Sequence, residues 1–253
     1  MEASLSSIVR FCDTYVNREA ITDYPAAHNG LQFENSGKLG RIGAAVDASL
    51  ESIRAAAKEE VDLLLVHHGL FWAPPAPVTG SRFQKYRLLL EQDIAVYSSH
   101  LPLDAHPEIG NNASIAARLG RKVSSWDYPY EGHLHPIAAV VDWEASRTEL
   151  EEKLRALFPQ TLGLSFGPES LDRLVISSGG GGGAIPSLRK KGYHTLITGE
   201  GQQHHYALAQ EEGLNVYFCG HYATEIFGVQ NLAQRAAEEF GLSYTFLPTS
   251  CPL

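Results

Sequence analysis

Three short stretches carry side chains suited to holding divalent metal ions. His67 and His68, followed by Gly69, close the apolar run VDLLLV. His100 and Asp104 bracket Leu-Pro-Leu directly after IAVYSS, and Gly220, His221 and Glu225 follow NVYFC. Read singly, each has a plain alternative: polar residues at a strand end, an isolated H-x3-D, an i,i+4 side-chain pair on a helix. Read together, His67, His68, His221, Asp104 and Glu225 supply three histidines and two carboxylates, with His100 as a further ligand, a proton carrier or a supporting group. That is enough for two divalent ions with open positions, the arrangement of hydrolytic sites whose metals stand about 3.5–4 Å apart. Mixed nitrogen and oxygen donors suit Zn, Fe, Mn, Ni or Co and do not choose among them. The chemistry would be hydrolysis by metal-activated water. His100 is the candidate for proton transfer, because an imidazole ordinarily titrates near neutrality.

Each stretch follows a predicted strand, and ligands of open α/β sheets gather beyond the carboxyl ends of strands. Neighbouring strand residues face opposite ways, so His67 and His68 are expected to serve one site only if the chain has already left the strand. Pro102 can open a helix but not sit inside one, so His100 and Asp104 need not share a helical face. His221 and Glu225 can stack one turn apart.

Apolar periodicity predicts helices over 4–16, 50–60, 81–92 and 111–119, and strands over 41–46, 61–66 and 94–98. Ser49 is an expected N-cap, and Gly120 a C-terminal stop. After an irregular connector over 121–136, strands are predicted at 137–141, 174–177, 195–198, 215–219 and 243–247. Helices are predicted at 147–158 (capped by Ser146), 184–191, 202–212 and 225–240. The fold class is α/β, with two similar halves, 1–125 and 126–253, and a metal site between them. A shift of 132 lays RIGAAVD on RLVISSG and His67-His68-Gly69 on Gly199-Glu200-Gly201. A shift of 121 lays His100 on His221 and Asp104 on Glu225. The proline-rich FWAPPAPVTG accounts for the difference between the shifts.

The composition bounds the function. The 253 residues, with 20 Lys+Arg against 29 Asp+Glu and a formal charge of -9, argue against nonspecific nucleic-acid binding. No apolar stretch is long enough to span a membrane, and residues 1–17 do not read as a signal peptide. With three scattered cysteines (Cys12, Cys219, Cys251), a cytoplasmic location is expected. Eleven histidines against so few thiols also mean that any transition-metal site must use imidazole and carboxylate.

The HHG, SHLPLD and GHYATE segments resemble the signature of the Nif-three-like dinuclear metal-centre proteins, also called GTP cyclohydrolase I type 2 homologues. The resemblance extends to Asn29-Gly30-Leu31-Gln32, Thr198-Gly199-Glu200 and the glycine-rich turn after 174–178. It implies His67, His68, Asp104, His221 and Glu225 as ligands. Glu225 would bridge two divalent ions, with His68 and Asp104 on one and His67 and His221 on the other. It further implies a toroidal homohexamer with metal sites facing an internal cavity. His28 and Glu200 depart from the family pattern, which has an acidic residue before the Asn and often TGD; these departures bear on substrate contacts.

Other groups have plainer readings. Gly179 to Gly183 lacks the GK[ST] of a P-loop and reads as a structural turn rather than a phosphate cradle. Glu200, His204 and His205 read as a polar helix start, or as cavity lining or a proton shuttle. His133 and His135 read as surface residues. No GxSxG elbow supports serine hydrolysis. The leading function is a metal-dependent hydrolase acting on an unidentified small molecule, with GTP cyclohydrolase-like activity as one version. The alternative is a non-enzymatic metal-binding or regulatory ring-forming scaffold.

Overall fold

A computed structural model describes residues 4–72 and 76–252. In chain order the first elements are α1 (Leu5–Tyr15), β1 (Gly30–Phe33), β2 (Arg41–Asp47), α2 (Leu50–Lys58), β3 (Leu63–His68), α3 (Gly80–Glu91), β4 (Ala95–Ser98), α4 (Leu101–Asp104), α5 (Asn111–Arg118) and β5 (Val123–Asp127). There follow β6 (Ala138–Ser146), α6 (Arg147–Leu157), β7 (Leu162–Ser165), β8 (Ser170–Ser177), α7 (Ile185–Leu188), β9 (Thr195–Thr198), α8 (His204–Glu211), β10 (Asn215–Phe218), α9 (His221–Phe240) and β11 (Ser243–Phe246). Helix starts obey local chemistry. Ser49 accepts from Ser52 N at 3.0 Å and Ser146 from Glu149 N at 3.1 Å, each satisfying an amide that a helix start leaves open.

Two sheets form. One runs β1-β4-β3-β2-β11, with β11, β2, β3 and β4 parallel and β1 antiparallel at an edge. The other runs β5-β6-β8-β9-β10-β7, parallel from β8 to β10 and antiparallel elsewhere. In the second sheet Ile176, Ile197 and Tyr217 face a core built on Trp143, while Val175, Leu196 and Val216 face a core built on Ile185 and Leu188. Burial on both faces is why these strands read as unbroken apolar runs. Both halves are α/β and pass through the same strand–helix order, β2-α2-β3-α3-β4 and β8-α7-β9-α8-β10. Within FWAPPAPVTG, Ala73 to Pro75 lie outside the described residues.

The chain divides into two compact units, 1–103 with 228–250, and 104–227 with 251–253. This differs from a division at 125/126, and the sheets give the reason. β11 pairs with β2, so the end of the chain completes the first sheet. β5 pairs with β6, and Ile115, Ala116 and Leu119 of the α5 segment join the Trp143 core. Each half thus gives its closing helix–strand segment to the other unit.

The segment expected to be an irregular connector contains β5, and β1 and β7 were also not expected. The last helix begins at His221 rather than at 225. The stretch over 184–191 is one α-turn, Ile185–Leu188, flanked by 3-10 turns rather than one helix.

Candidate metal centre

In the first unit the carboxyl ends of β3 and β4 bring His67, His68 and His100 together. One ring nitrogen of each lies within 4.8 Å of the others. His67 and His68 are the last two residues of β3, so the expectation that the chain leaves the strand first does not hold. Their rings nevertheless stand 4.8 Å apart. At the end of a strand side chains can lean along its direction past the edge of the sheet, and both imidazoles reach the same region.

Each ring is held from behind. His67, fully buried, places Nδ1 3.0 Å from the carbonyl of Ser99. A carbonyl only accepts, so Nδ1 carries the proton and Nε2 the lone pair. His68 Nδ1 lies 2.9 Å from Asp47 Oδ1, its register partner across the β2–β3 pair. His100 Nδ1 lies 2.9 and 3.1 Å from the two oxygens of Asp23. Asp23 also accepts from Leu101 N at 3.0 Å and Asn29 Nδ2 at 2.8 Å, while Asn29 Oδ1 accepts from His100 N at 2.7 Å. Burial would raise the Asp23 carboxyl, but the bonds and charge of His100, with Asn29 and the Tyr24 amide, hold it below its ordinary range. Gln32 continues this support, accepting from Leu70 N at 2.6 Å. A Cβ at Gly69 would sit 2.2 Å from the Gln32 amide, so Gly69 is needed for close approach.

In the second unit the turn after β8 organises the remaining candidates. Asp104, 5% exposed, accepts from Asn111 Nδ2 at 2.7 Å and from Ser178 Oγ at 3.1 Å. The next residue, Gly179, has φ +58, and a Cβ there would lie 2.0 Å from Glu225 Oε1 and 3.1 Å from His221 Nε2. The first member of the glycine run thus clears the space those side chains fill. Gly179 N donates to Thr224 Oγ1 at 3.0 Å, tying the turn to α9.

His221 and Glu225 meet one helical turn apart, Nε2 to Oε1 at 3.2 Å, with Glu225 3% exposed. His221 Nδ1 lies 3.1 Å from Glu200 Oε1. Glu200 therefore supports His221 rather than merely starting a helix. His205 does belong to the helix start: its Nδ1 accepts from Gln202 N at 2.9 Å. His133 and His135 bond to each other in a half-buried loop.

Burial disfavours a charged His221, but Glu225 and Glu200 outweigh it and raise its pKa to about 9. In the metal-free chain its stabilising contribution is therefore complete below about 6.5, its ordinary value, and is lost as pH rises through about 9. The unfolding free energy of chelated protein, from urea titrations, is expected to fall between pH 6.5 and 9.5 by no more than about 3 kcal/mol, and the dependence to flatten in His221→Ala. A flat wild-type profile would remove the ion pair. Since a metal must replace a proton on Nε2, divalent-ion affinity is expected to rise over the same interval.

Four imidazoles whose Nδ1 atoms face oxygen acceptors, with two buried carboxylates, match the outer support that metal-ligating histidines require. Asp23 and Asp47 escaped notice in the sequence because neither lies in a recognisable motif. The available signal for Asp47 was its place at the end of a strand parallel to the one carrying His68.

A family model described as Duf34/NIF3 (NGG1p interacting factor 3) matches residues 3–252. A protein of Deinococcus radiodurans called GTP cyclohydrolase 1 type 2 homolog is 38% identical, covering 97% of this chain and 93% of its own length. A protein of the same description from Archaeoglobus fulgidus is 36% identical, covering 96% and 97%. The crystal structure of TTHA1606 from Thermus thermophilus superposes with a TM-score of 0.87 at 33% identity, covering 99% of this chain and all of that one. Among the described residues no helix is long and apolar enough to cross a membrane. By its sequence over nearly its full length, and by its fold, the chain belongs to the Duf34/NIF3 family.

Proposed function

We propose that the chain is a metal-dependent hydrolase built on a dinuclear divalent centre. His68 and Asp104 would hold one ion, His67 and His221 the other, and Glu225 would bridge them. The substrate would be a small molecule, and the names of the relatives make a GTP cyclohydrolase-like reaction one version of this reading. The observation that carries it is the common state of the proposed ligand histidines: His67, His68 and His221 each turn Nδ1 to an oxygen acceptor, which directs Nε2 to a metal ion, that of His221 beside Glu225.

Two bound divalent ions would supply a water acidified toward neutrality and positive charge for a developing oxyanion. The chain's own residues do the rest. The Ser99 carbonyl, Asp47 and Glu200 keep the three imidazoles from rotating. His100 accepts a proton at Nε2, and the Asp23 carboxylate at Nδ1 stabilises the imidazolium that forms. Trp72, whose ring stands 4.7 Å edge-on from that of His100, shields one side of it from water.

Protein purified gently from metal-containing medium is expected to carry about two divalent ions per chain, and His221→Ala at least one fewer. Elemental analysis that finds metal-free wild type overturns the site. We also propose self-assembly into a homohexameric ring in the cytoplasm. Light scattering should then give a mass well above a dimer, and a clean monomer would refute the ring.

A further inference from the structure

Outside the proposed metal ligands, the second unit holds a cavity of about 900 Å³. That lies in the range of roughly 300–1,000 Å³ typical of small-molecule sites. Its apolar walls include the aromatic rings of Phe158, Tyr206 and Phe218 together with Leu162 and Leu164. Its polar groups include Glu200 and Gln202. Leu162 is 61% exposed and Tyr206 50% exposed, unusual values for large apolar side chains bordering one cavity. Backbone shape contributes as well. A Cβ at Gly201 would sit 2.2 Å from the Phe218 ring, so this glycine lets the ring pack beside the residue that follows Glu200.

Glu200 gives the cavity its chemical preference. Its side chain is 54% exposed, and one oxygen faces Nδ1 of His221. A carboxylate has about four acceptor positions, so it can serve His221 and a ligand together. Its complement is a pair of parallel N–H donors on a delocalised cation, an amidinium or cyclic guanidinium edge, which a carboxylate binds in two-point fashion. The complement of the aromatic walls is a flat ring.

We propose that this cavity binds a flat aromatic small molecule with an amidine-like cationic edge, the edge on Glu200 and the ring against Phe218 and Tyr206. The cavity lies outside the proposed metal ligands, and its test needs no bound metal. Because Glu200 also supports His221, an occupant shares a carboxylate with a proposed metal ligand.

The test uses 2-naphthamidine and 2-naphthoate, which have the same ring system and opposite charge, titrated into the full chain with calorimetry and ligand-observed NMR. The amidine is expected to bind saturably and at least about tenfold more tightly than the acid, a difference of ~1.4 kcal/mol. Glu200→Gln should abolish that preference. Tyr206→Ala, at a half-exposed position, should weaken the amidine by about fivefold, with circular dichroism confirming the fold. Equal binding of the two probes, no saturable binding, or binding untouched by either variant would overturn the proposal. So would Leu162→Asp splitting an assembly in light scattering while neither probe binds, which would assign this face to a second copy of the chain.

Discussion

Glu225→Ala is expected to strip more metal from the chain than His67→Ala. In the proposed centre His67 serves one ion, so its loss should leave the other in place. Glu225 serves both; the residue is buried, and its Oε1 lies 3.2 Å from Nε2 of His221. Removing it also takes away the acceptor that faces that imidazole. Outer partners of metal ligands typically contribute about 10–100-fold in affinity, and loss of a shared ligand should exceed that for both ions. Elemental analysis after dialysis against a weak chelator reads the difference directly, with circular dichroism confirming that both variants fold. Equal losses would argue that Glu225 binds a single ion.

The second large effect concerns a residue without a side chain. Gly179→Ala is expected to lose both stability and metal, whereas Gly192→Ala should lose only stability. Both glycines are left-handed, with φ +58 and +78, so an alanine at either carries a backbone cost of about 1–2 kcal/mol. They differ in what a Cβ would meet. At Gly192 nothing lies within 4 Å, while at Gly179 the new carbon would stand 2.0 Å from Glu225 Oε1. Glu225 must then move, and its contact with His221 goes with it. Thermal melts should show both variants weakened, Gly179→Ala the more. Metal analysis should show a deficit in that variant alone. If Gly179→Ala keeps its full metal content, the turn matters only for backbone conformation and not for room at the site.

How much of this was legible in the sequence follows from where each residue sits. β2, β3, β4, β9 and β10 are largely buried, and their apolar runs were plain. β1, β5 and β7 were missed, and all three are edge strands. An edge strand has a neighbour on one side only, and VSSWD and LGLS are mostly exposed or half-buried, so they lack the alternation that marks a strand. The candidate ligands were legible because they lie at strand ends in short motifs. Their supports were not. Asp23 meets His100 across 77 residues, and Asp47 meets His68 across 21, separations that local spacing does not encode. In the sequence Glu200 groups with its own helix, since its contact with His221 depends on β9 and β10 lying side by side.

The crossed ownership of helix–strand segments has a consequence for how the chain can be taken apart. A cut near residue 125 passes through β5 itself, and the amino-terminal piece would keep α5 while lacking β11. The carboxyl-terminal piece would keep β11 while losing the Ile115, Ala116 and Leu119 contribution to its Trp143 core. Neither piece carries the complete inventory of its own sheet and core. The sequence is bipartite, but a cut along that seam does not release the two units: each piece would lack a segment that its own sheet or core needs, as in a domain-swapped pair joined into one polypeptide.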